Sequence, residues 1–341
     1  MSQVPRVKPP VIADVARVAG VSVPTVSRVL NGTVPVSAER RERVMAAVKK
    51  LGFRPNGAAR SLASQAGSMI AVFAGNTTRY GYAATIQGIE EAARQAGYMV
   101  VISVVETADG PTVERAIDHA LGQPLAGAIV LEFDPPGVAA LAQMPSWLPA
   151  VAAASGGSSD EAISHAYMDD RHAATQATRY LLDLGHRTVH HVAIPSVGVE
   201  SARMVGWREA LRDAGIEPPP VIHAGWDPLA GYDAGVRLAR DASATAVLAG
   251  NDELAIGVMK GLVDSGRSIP GDVSVIGFDD HPLSQLWVPP LTTVRQDFVG
   301  LGHQVFGLLV GRMDAGEPRP SVRMIPDLVV RQSTGRPAAS S

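Results

Sequence analysis

The sequence predicts an all-α headpiece built on a helix-turn-helix over residues 1–55 and an α/β body of two lobes over residues 68–341, joined by a helix-prone stretch and linker at 56–67. Three observations predict it. Short amphipathic runs punctuated by helix caps fill the first fifty residues, apolar strand-like runs alternate with helical ones from Met69 onward, and charge is divided unequally between the two regions. A chain of 341 residues also exceeds what one hydrophobic core usually serves. With 46% hydrophobic and 18% charged residues it can fill several packed cores and is not a disordered polymer.

In the headpiece, the run from Val11 to Ala19 places Ile12, Val15, Ala16 and Ala19 on one helical face and ends at Gly20, suited to a left-handed cap. Val21 and Ser22 form a tight turn, with Ser22 as N-cap of a second helix from Val23 to about Leu30. Pro24 falls in the first turn of that helix, where its missing N–H costs nothing. Two short helices joined by a glycine-containing turn define a helix-turn-helix. A third helix begins at Ser37, carries Val44, Ala47, Val48 and Leu51 on one face, and stops at Gly52.

Residues 1–66 hold eleven basic side chains against three acidic ones, a net of +8, while the remainder holds 19 basic against 30 acidic, a net of −11. A basic module on an acidic body is the footprint of a polyanion binder, because each Lys or Arg brought to a phosphate releases counterions. The alternative is a merely solvated basic surface.

In the body, Met69–Ala74, Tyr98–Val104, Gly127–Leu131 and Ala150–Ala153 read as strands, with helices at Ala83–Ala96 and Thr112–Leu121. A second series starts at Ser164–Met168 and continues with Thr188–Ile194, Val221–Ala224, Thr245–Ala249 and Val273–Phe278. Such alternation implies parallel sheets with right-handed crossovers, and two series imply two lobes, with Gly156 to Ser159 as the crossing point.

Several chemistries are excluded. The absence of cysteine removes disulfides, zinc–thiolate sites and thiol catalysis. The first ten residues lack the apolar run of a secretory signal, and no stretch reaches the ~20 apolar residues of a membrane span, so a soluble protein of the cytoplasm is expected. Phosphate-loop, dinucleotide and nucleophile-elbow motifs are missing. His190 and His191 alternate along a strand and do not form a metal pair. No cofactor, metal site or catalytic constellation is expected, and the chain does not read as an enzyme.

The run from Ala13 to Gly32, Val36-Ser37 and the segment Leu51 to Asn56 resemble the headpiece of the lactose/galactose repressor (LacI/GalR) family. Val11 departs from it, standing where the family has a Thr or Ser N-cap, at a cost of about 1 kcal/mol. The resemblance implies a sequence-specific transcription regulator, usually a repressor, acting as a homodimer on a pseudo-palindromic double-stranded operator. In such modules the start of the second helix enters the major groove. Val23 and Pro24 would then meet thymine methyls, Arg28 a guanine, and Ser22, Thr25, Ser27 and Asn31 phosphates. Val26, Val29 and Leu30 read as core. Residues 54–67 resemble the family's hinge, implying a helix that orders when two copies pair on DNA, with Asn56 and Arg60 on the duplex and Leu62 wedged into the minor groove. A flexible linker is the alternative.

The segments 183–187, 201–207, 250–257, 275–280 and 290–297 resemble blocks of the family's effector domain, which is similar to periplasmic sugar-binding proteins. That implies a ligand between lobes joined by three crossovers, near Ser158, Thr292 and Pro326, with one lobe at about 68–158 and 293–325 and the other at about 159–292 and 326–335. Ligands of open α/β sheets sit beyond the carboxyl ends of strands, and Asn251 and Asp279 follow two apolar runs. Arg203 offers a fork of donors, Trp226 a face for a sugar ring, and Phe298 an opposite wall. The resemblance implies the same five as effector contacts and adds Phe73, Tyr82 and Asp169. Each has a structural alternative: Asn251 and Asp279 as helix caps, Arg203 in an ion pair, the aromatics as core. The effector is expected to be a sugar or sugar derivative, with a purine as the alternative. The C-terminal residues carry no apolar heptads, so no tetramerising coiled coil is expected.

Overall fold

The structure, a computed structural model, describes residues 10–31, 36–53, 69–156, 163–195 and 200–338. Contacts divide the chain into two compact units, Met1–Ser68 and Met69–Ser341.

The first unit holds α1 (Ile12–Ala19), α2 (Val23–Asn31) and α3 (Ala38–Leu51). Gly20 adopts φ 64°, the left-handed conformation that ends α1 and opens the turn into α2. Ser22 caps α2, its carbonyl accepting from Val26 N–H at 3.1 Å. Val11 has no side-chain oxygen to offer, but the Asp14 carboxylate accepts from Val11 N–H at 3.0 Å, so one donor at the start of α1 is satisfied from inside the helix. Val15, Ala16, Ala19, Val26, Val29, Val44, Ala47 and Phe53 form a small core, with Leu30 half-buried against it.

The second unit contains two six-stranded sheets. In chain order its elements are β1 (Met69–Ala74), α4 (Tyr80–Gln95), β2 (Met99–Val104), α5 (Gly110–Leu121), β3 (Leu125–Glu132), α6 (Pro135–Ala142), β4 (Ala150–Ala154), β5 (His165–Met168), α7 (Asp170–Asp183), β6 (His190–Ala193) and α8 (Ala202–Asp213). There follow β7 (Ile222–His223), α9 (Pro228–Leu238), β8 (Ala246–Ala249), α10 (Asp252–Asp264), β9 (Ser274–Asp279), β10 (Thr292–Arg295), α11 (Phe298–Ala315), β11 (Val322–Met324) and β12 (Asp327–Val329). The first sheet runs β11-β5-β4-β3-β1-β2 and is parallel throughout. The second runs β12-β10-β9-β8-β6-β7, with β12 antiparallel to β10.

Each sheet is covered on both faces, as parallel sheets must be. In the first lobe, Ile70 and Val72 pack beneath α4 and α11, while Ala71 and Phe73 face the α5 and α6 side. At Gly88 on α4 a Cβ would run into the Val299 carbonyl, so the missing side chain lets α4 and α11 pack closely and brings their first turns together.

The boundary between lobes differs from the sequence expectation. His165–Met168 pairs with β4 and belongs to the first sheet, so the chain first passes to the second lobe at Asp169–Asp170, about ten residues beyond Ser158. Alternation reveals that a strand exists but not which sheet it joins. Here β5 is claimed by the slot between β4 and β11, where Ser164 Oγ donates to the Arg319 carbonyl at 2.6 Å and His165 N–H to Ser321 Oγ at 3.1 Å. The second passage falls at Gln296–Asp297, after β10 rather than near Thr292, and the third at Ile325–Pro326.

Candidate functional site

In the headpiece, Ser22, Val23, Pro24 and Arg28 are exposed and Thr25 and Ser27 half-buried, so α2 offers one face for contact while Val26 and Val29 are turned into the core. The Ser22 and Thr25 hydroxyls bond to each other at 2.9 Å, fixing the first turn. Asn56, Arg60, Leu62 and the side chain of Asn31 lie outside the described residues.

The body contains a cavity of about 460 Å³ lined from both lobes. Its lining lies at or just past the carboxyl ends of strands: Glu132 at the end of β3, Ala154 and Ser155 at and after the end of β4, Met168 at the end of β5, Ile194 after β6, Asn251 after β8, Asp279 at the end of β9 and Gln296 after β10. The first turns of α4 and α11 supply Tyr80, Tyr82 and Phe298.

Arg203 is the centre of the site. Its Nε donates to Asp170 Oδ2 at 2.8 Å, Nη1 donates to the Gly250 carbonyl, and Nη2 lies 3.7 Å from Asp279 Oδ1. The guanidinium also stacks on Phe278, 4.4 Å from the ring centroid. Gln296 completes the Asp170 shell, donating from Nε2 to Oδ1 at 2.5 Å. Burial pushes the Asp170 and Asp279 carboxyls above their ordinary range, with the nearby Arg203 charge pulling both back. Asp279 Oδ1 is buried and accepts no hydrogen bond within the protein. Its backbone sits at φ 109° and that of Asp280 at φ 52°, each a strained conformation for a non-glycine residue costing about 1–3 kcal/mol. Two ion pairs hold the strain in place: Asp280 Oδ2 accepts from Arg295 at 2.7 Å and Oδ1 pairs with Arg331 at 2.5 Å.

Asn251 caps a helix and also lines the cavity. Its Oδ1 caps α10 by accepting from Leu254 N–H at 2.8 Å, which leaves its amide N–H groups for the cavity it lines. Asp252 beside it is almost fully buried, accepting from His281 N–H at 2.7 Å, Ser284 Oγ at 2.6 Å and Thr293 Oγ1 at 2.5 Å. Burial raises its carboxyl to about 7.

Two aromatic contacts bridge the lobes beside the cavity. The Arg79 guanidinium lies 4.5 Å from the centroid of Trp226, and Tyr80 meets His281 edge-on at 4.9 Å. Phe298 packs edge-on against Tyr80 at 5.9 Å, and Tyr82 against Phe133 at 5.1 Å, with the Tyr82 hydroxyl buried.

Six of the eight expected effector residues therefore line one cavity: Tyr82, Arg203, Trp226, Asn251, Asp279 and Phe298. Two do not. Phe73 is fully buried in the core beneath α5 and α6, because strand alternation turns it away from the Ile70 and Val72 face. Asp169 caps α7 through His172 N–H at 2.9 Å and pairs with Arg323 at 2.6 Å, outside the cavity. Sequence reasoning missed Asp170, Asp252, Gln296, Tyr80, Arg79 and His281. Asp170 and Asp252 each directly follow a residue singled out in the sequence, and Gln296 follows β10, whose Thr-Thr-Val-Arg run is not continuously apolar.

No group of His, Asp and Glu among the described residues is arranged to hold a metal ion, and no described helix is long and apolar enough to cross a membrane.

Fold and site together define a class: a two-lobed small-molecule receptor carrying a helix-turn-helix unit. Residues 11–56 match the model of bacterial regulatory proteins of the lacI family, and residues 178–334 match a periplasmic binding protein-like domain. The chain is 30% identical to the lactose operon repressor of Escherichia coli K12, over 96% of this chain and 91% of that protein. Its fold is similar to that of a lac repressor dimer bound to operator and an anti-inducer, with a TM-score of 0.87 at 30% identity, covering 96% of this chain and all of that one. It is also similar to a CelR–cellobiose complex, with a TM-score of 0.70 at 30% identity over 95% of this chain and 99% of that one. The chain belongs to the LacI family, whose members are transcription regulators and not enzymes.

Proposed function

We propose that this protein is a transcriptional repressor of the bacterial cytoplasm that binds a pseudo-palindromic operator as a homodimer and is controlled by a carbohydrate held between its lobes. The observation that carries the reading is the pairing of Arg203 with Asp279, two residues that line a cavity shared by both lobes, with the buried Asp279 Oδ1 accepting no hydrogen bond from the protein. Such an oxygen is stabilised by a donor from outside, and a sugar hydroxyl supplies one. The bound cellobiose in the CelR complex supports the ligand class, and the lac repressor dimer on its operator supports the partners. Exposed Ile102 and Val104 on one face of β2, the edge strand of the first sheet, offer an apolar surface to a second copy.

Ligand entry changes operator affinity only so far as the two lobe arrangements bind the ligand differently, and a hundredfold change at the operator corresponds to about 2.7 kcal/mol of coupling. The test is selection of duplexes from a random pool by the full-length protein, followed by titration of the selected duplex with and without a panel of sugars. A preferred palindrome whose affinity changes with one sugar is expected. Equal binding to every duplex would overturn the reading. A solute-binding role accounts for the cavity but leaves the basic helix-turn-helix unit without a use.

A further inference from the structure

Six carboxylates line the cavity, Glu132, Asp170, Glu200, Asp252, Glu253 and Asp279, against the two arginines Arg79 and Arg203. The lining arginines do not balance them, although Glu200 also pairs with Arg208 and Glu132 contacts His165 Nε2 at 3.2 Å. Arg203 is already shared between Asp170 at 2.8 Å and Asp279 at 3.7 Å. Asp252 is held by a backbone N–H and two hydroxyls, all neutral donors. His281 Nδ1 accepts from Leu283 N–H at 3.1 Å. Arg79 is the remaining cation, and its guanidinium lies on Trp226.

From this charge distribution we infer that the cavity selects ligands carrying no negative charge, admitting a neutral hydroxylated molecule and rejecting its phosphorylated form. The inference rests on the reading of this cavity as the effector site and deepens it. A hydroxyl entering the site can donate to Asp279 Oδ1, whereas an ionised phosphate oxygen has no proton to give and would set one lone pair against another. A phosphate would also surrender its hydration to enter a space already rich in like charge. Burial raises the Asp252 and Asp279 carboxyls, and neighbouring carboxylates raise them further.

The experiment measures thermal melting and calorimetric binding of the full-length protein with matched pairs: ribose and ribose 5-phosphate, glucose and glucose 6-phosphate, cellobiose and its 6′-phosphate, adenosine and its 5′-monophosphate. Within any pair that binds, the phosphorylated member is expected to bind at least a hundredfold more weakly, and Glu253→Gln to narrow that ratio. A pair whose phosphorylated member binds as well or better overturns the inference while leaving the effector reading intact. Binding confined to the adenosine pair overturns the carbohydrate reading, and the ratio within that pair still decides the charge question. Binding by no pair removes the effector reading and the inference with it. Inorganic phosphate, titrated at constant ionic strength, is expected to give no saturable change in tryptophan fluorescence. A saturable change that disappears in Trp226→Phe would place an anion in the cavity and overturn the inference.

Discussion

Arg203 Nε and Asp170 Oδ2 meet at 2.8 Å with both side chains more than nine-tenths buried, and this contact joins the ligand cavity to the passages between the lobes. Asp170 opens α7 at the first passage, and its other oxygen accepts from Gln296 at the second. A ligand that engages Arg203 therefore acts on a side chain bonded to Asp170 at the first interlobe connection and, through Asp170, linked to Gln296 at the second.

Arg203→Ala removes the cation from between two buried carboxylates. Breaking a buried pair from one side costs about 3–5 kcal/mol, because the partner charges are left uncompensated. Calorimetry should show a large fall in melting temperature, and adding Asp170→Asn and Asp279→Asn to that variant should recover part of it. An Arg203→Ala protein as stable as its parent would show that the pair contributes nothing.

The two functions should separate. Arg28 is exposed on α2 and forms no ion pair among the described residues. Its replacement by Ala should weaken specific duplex binding by about 1–3 kcal/mol and leave ligand binding intact. Asp279→Ala should do the reverse. Titrating each variant with duplex and with ligand checks this, and equal losses at both sites would contradict it.

The pH dependence of stability has a defined sign at Asp252. Burial raises its carboxyl from the ordinary 3.8 to about 7, so between those values the folded chain holds a proton that the unfolded chain has released. Its contribution to stability is full below about pH 4 and is lost as pH rises through about 7. Buried His191, lowered to about 4, runs the other way, so the variant must be compared with its parent. Relative to the parent, Asp252→Asn should gain in melting temperature as pH rises from 5 to 8, since the amide has no proton to lose and the Thr293 hydroxyl can turn to accept from it. A constant difference across that range would show that Asp252 does not titrate there.

Self-association should depend on the edge of the first sheet. Ile102→Lys places a charge in the exposed apolar row of β2 and should weaken dimerisation in sedimentation equilibrium with no loss of helix content. An unchanged dimer would move the interface elsewhere.

Much of this was legible in the sequence because the signals were local. Gly20, Ser22, Pro24 and Gly52 mark helix ends by their own backbone chemistry, and the burial of Val15, Val26 and Val44 follows from helical spacing. In the cavity, Asn251 and Asp279 were reachable because each stands just beyond a continuous apolar run in the sequence. What failed was non-local. Nothing in His165–Met168 says that its partner is β4, and nothing around Asp169 and Asp170 says that one caps a helix at the surface while the other meets Arg203 inside. The strands β11 and β12 have three residues each, too few for a pattern, and exist because their neighbours supply the ladder.

The third passage, Ile325 and Pro326 alone, limits how the cleft can open. Three Cα steps separate Met324 from Asp327, a reach of at most about 11 Å, and proline fixes one of the torsions within it. The neighbouring passages are fastened to the same place, Asp169 N–H donating to the Met324 carbonyl at 2.9 Å and Gln296 to Asp170. A tether this short, fastened on either side, works like a door hinge: the jaws can swing about it but cannot slide apart, so admission of a guest becomes an angle rather than a distance.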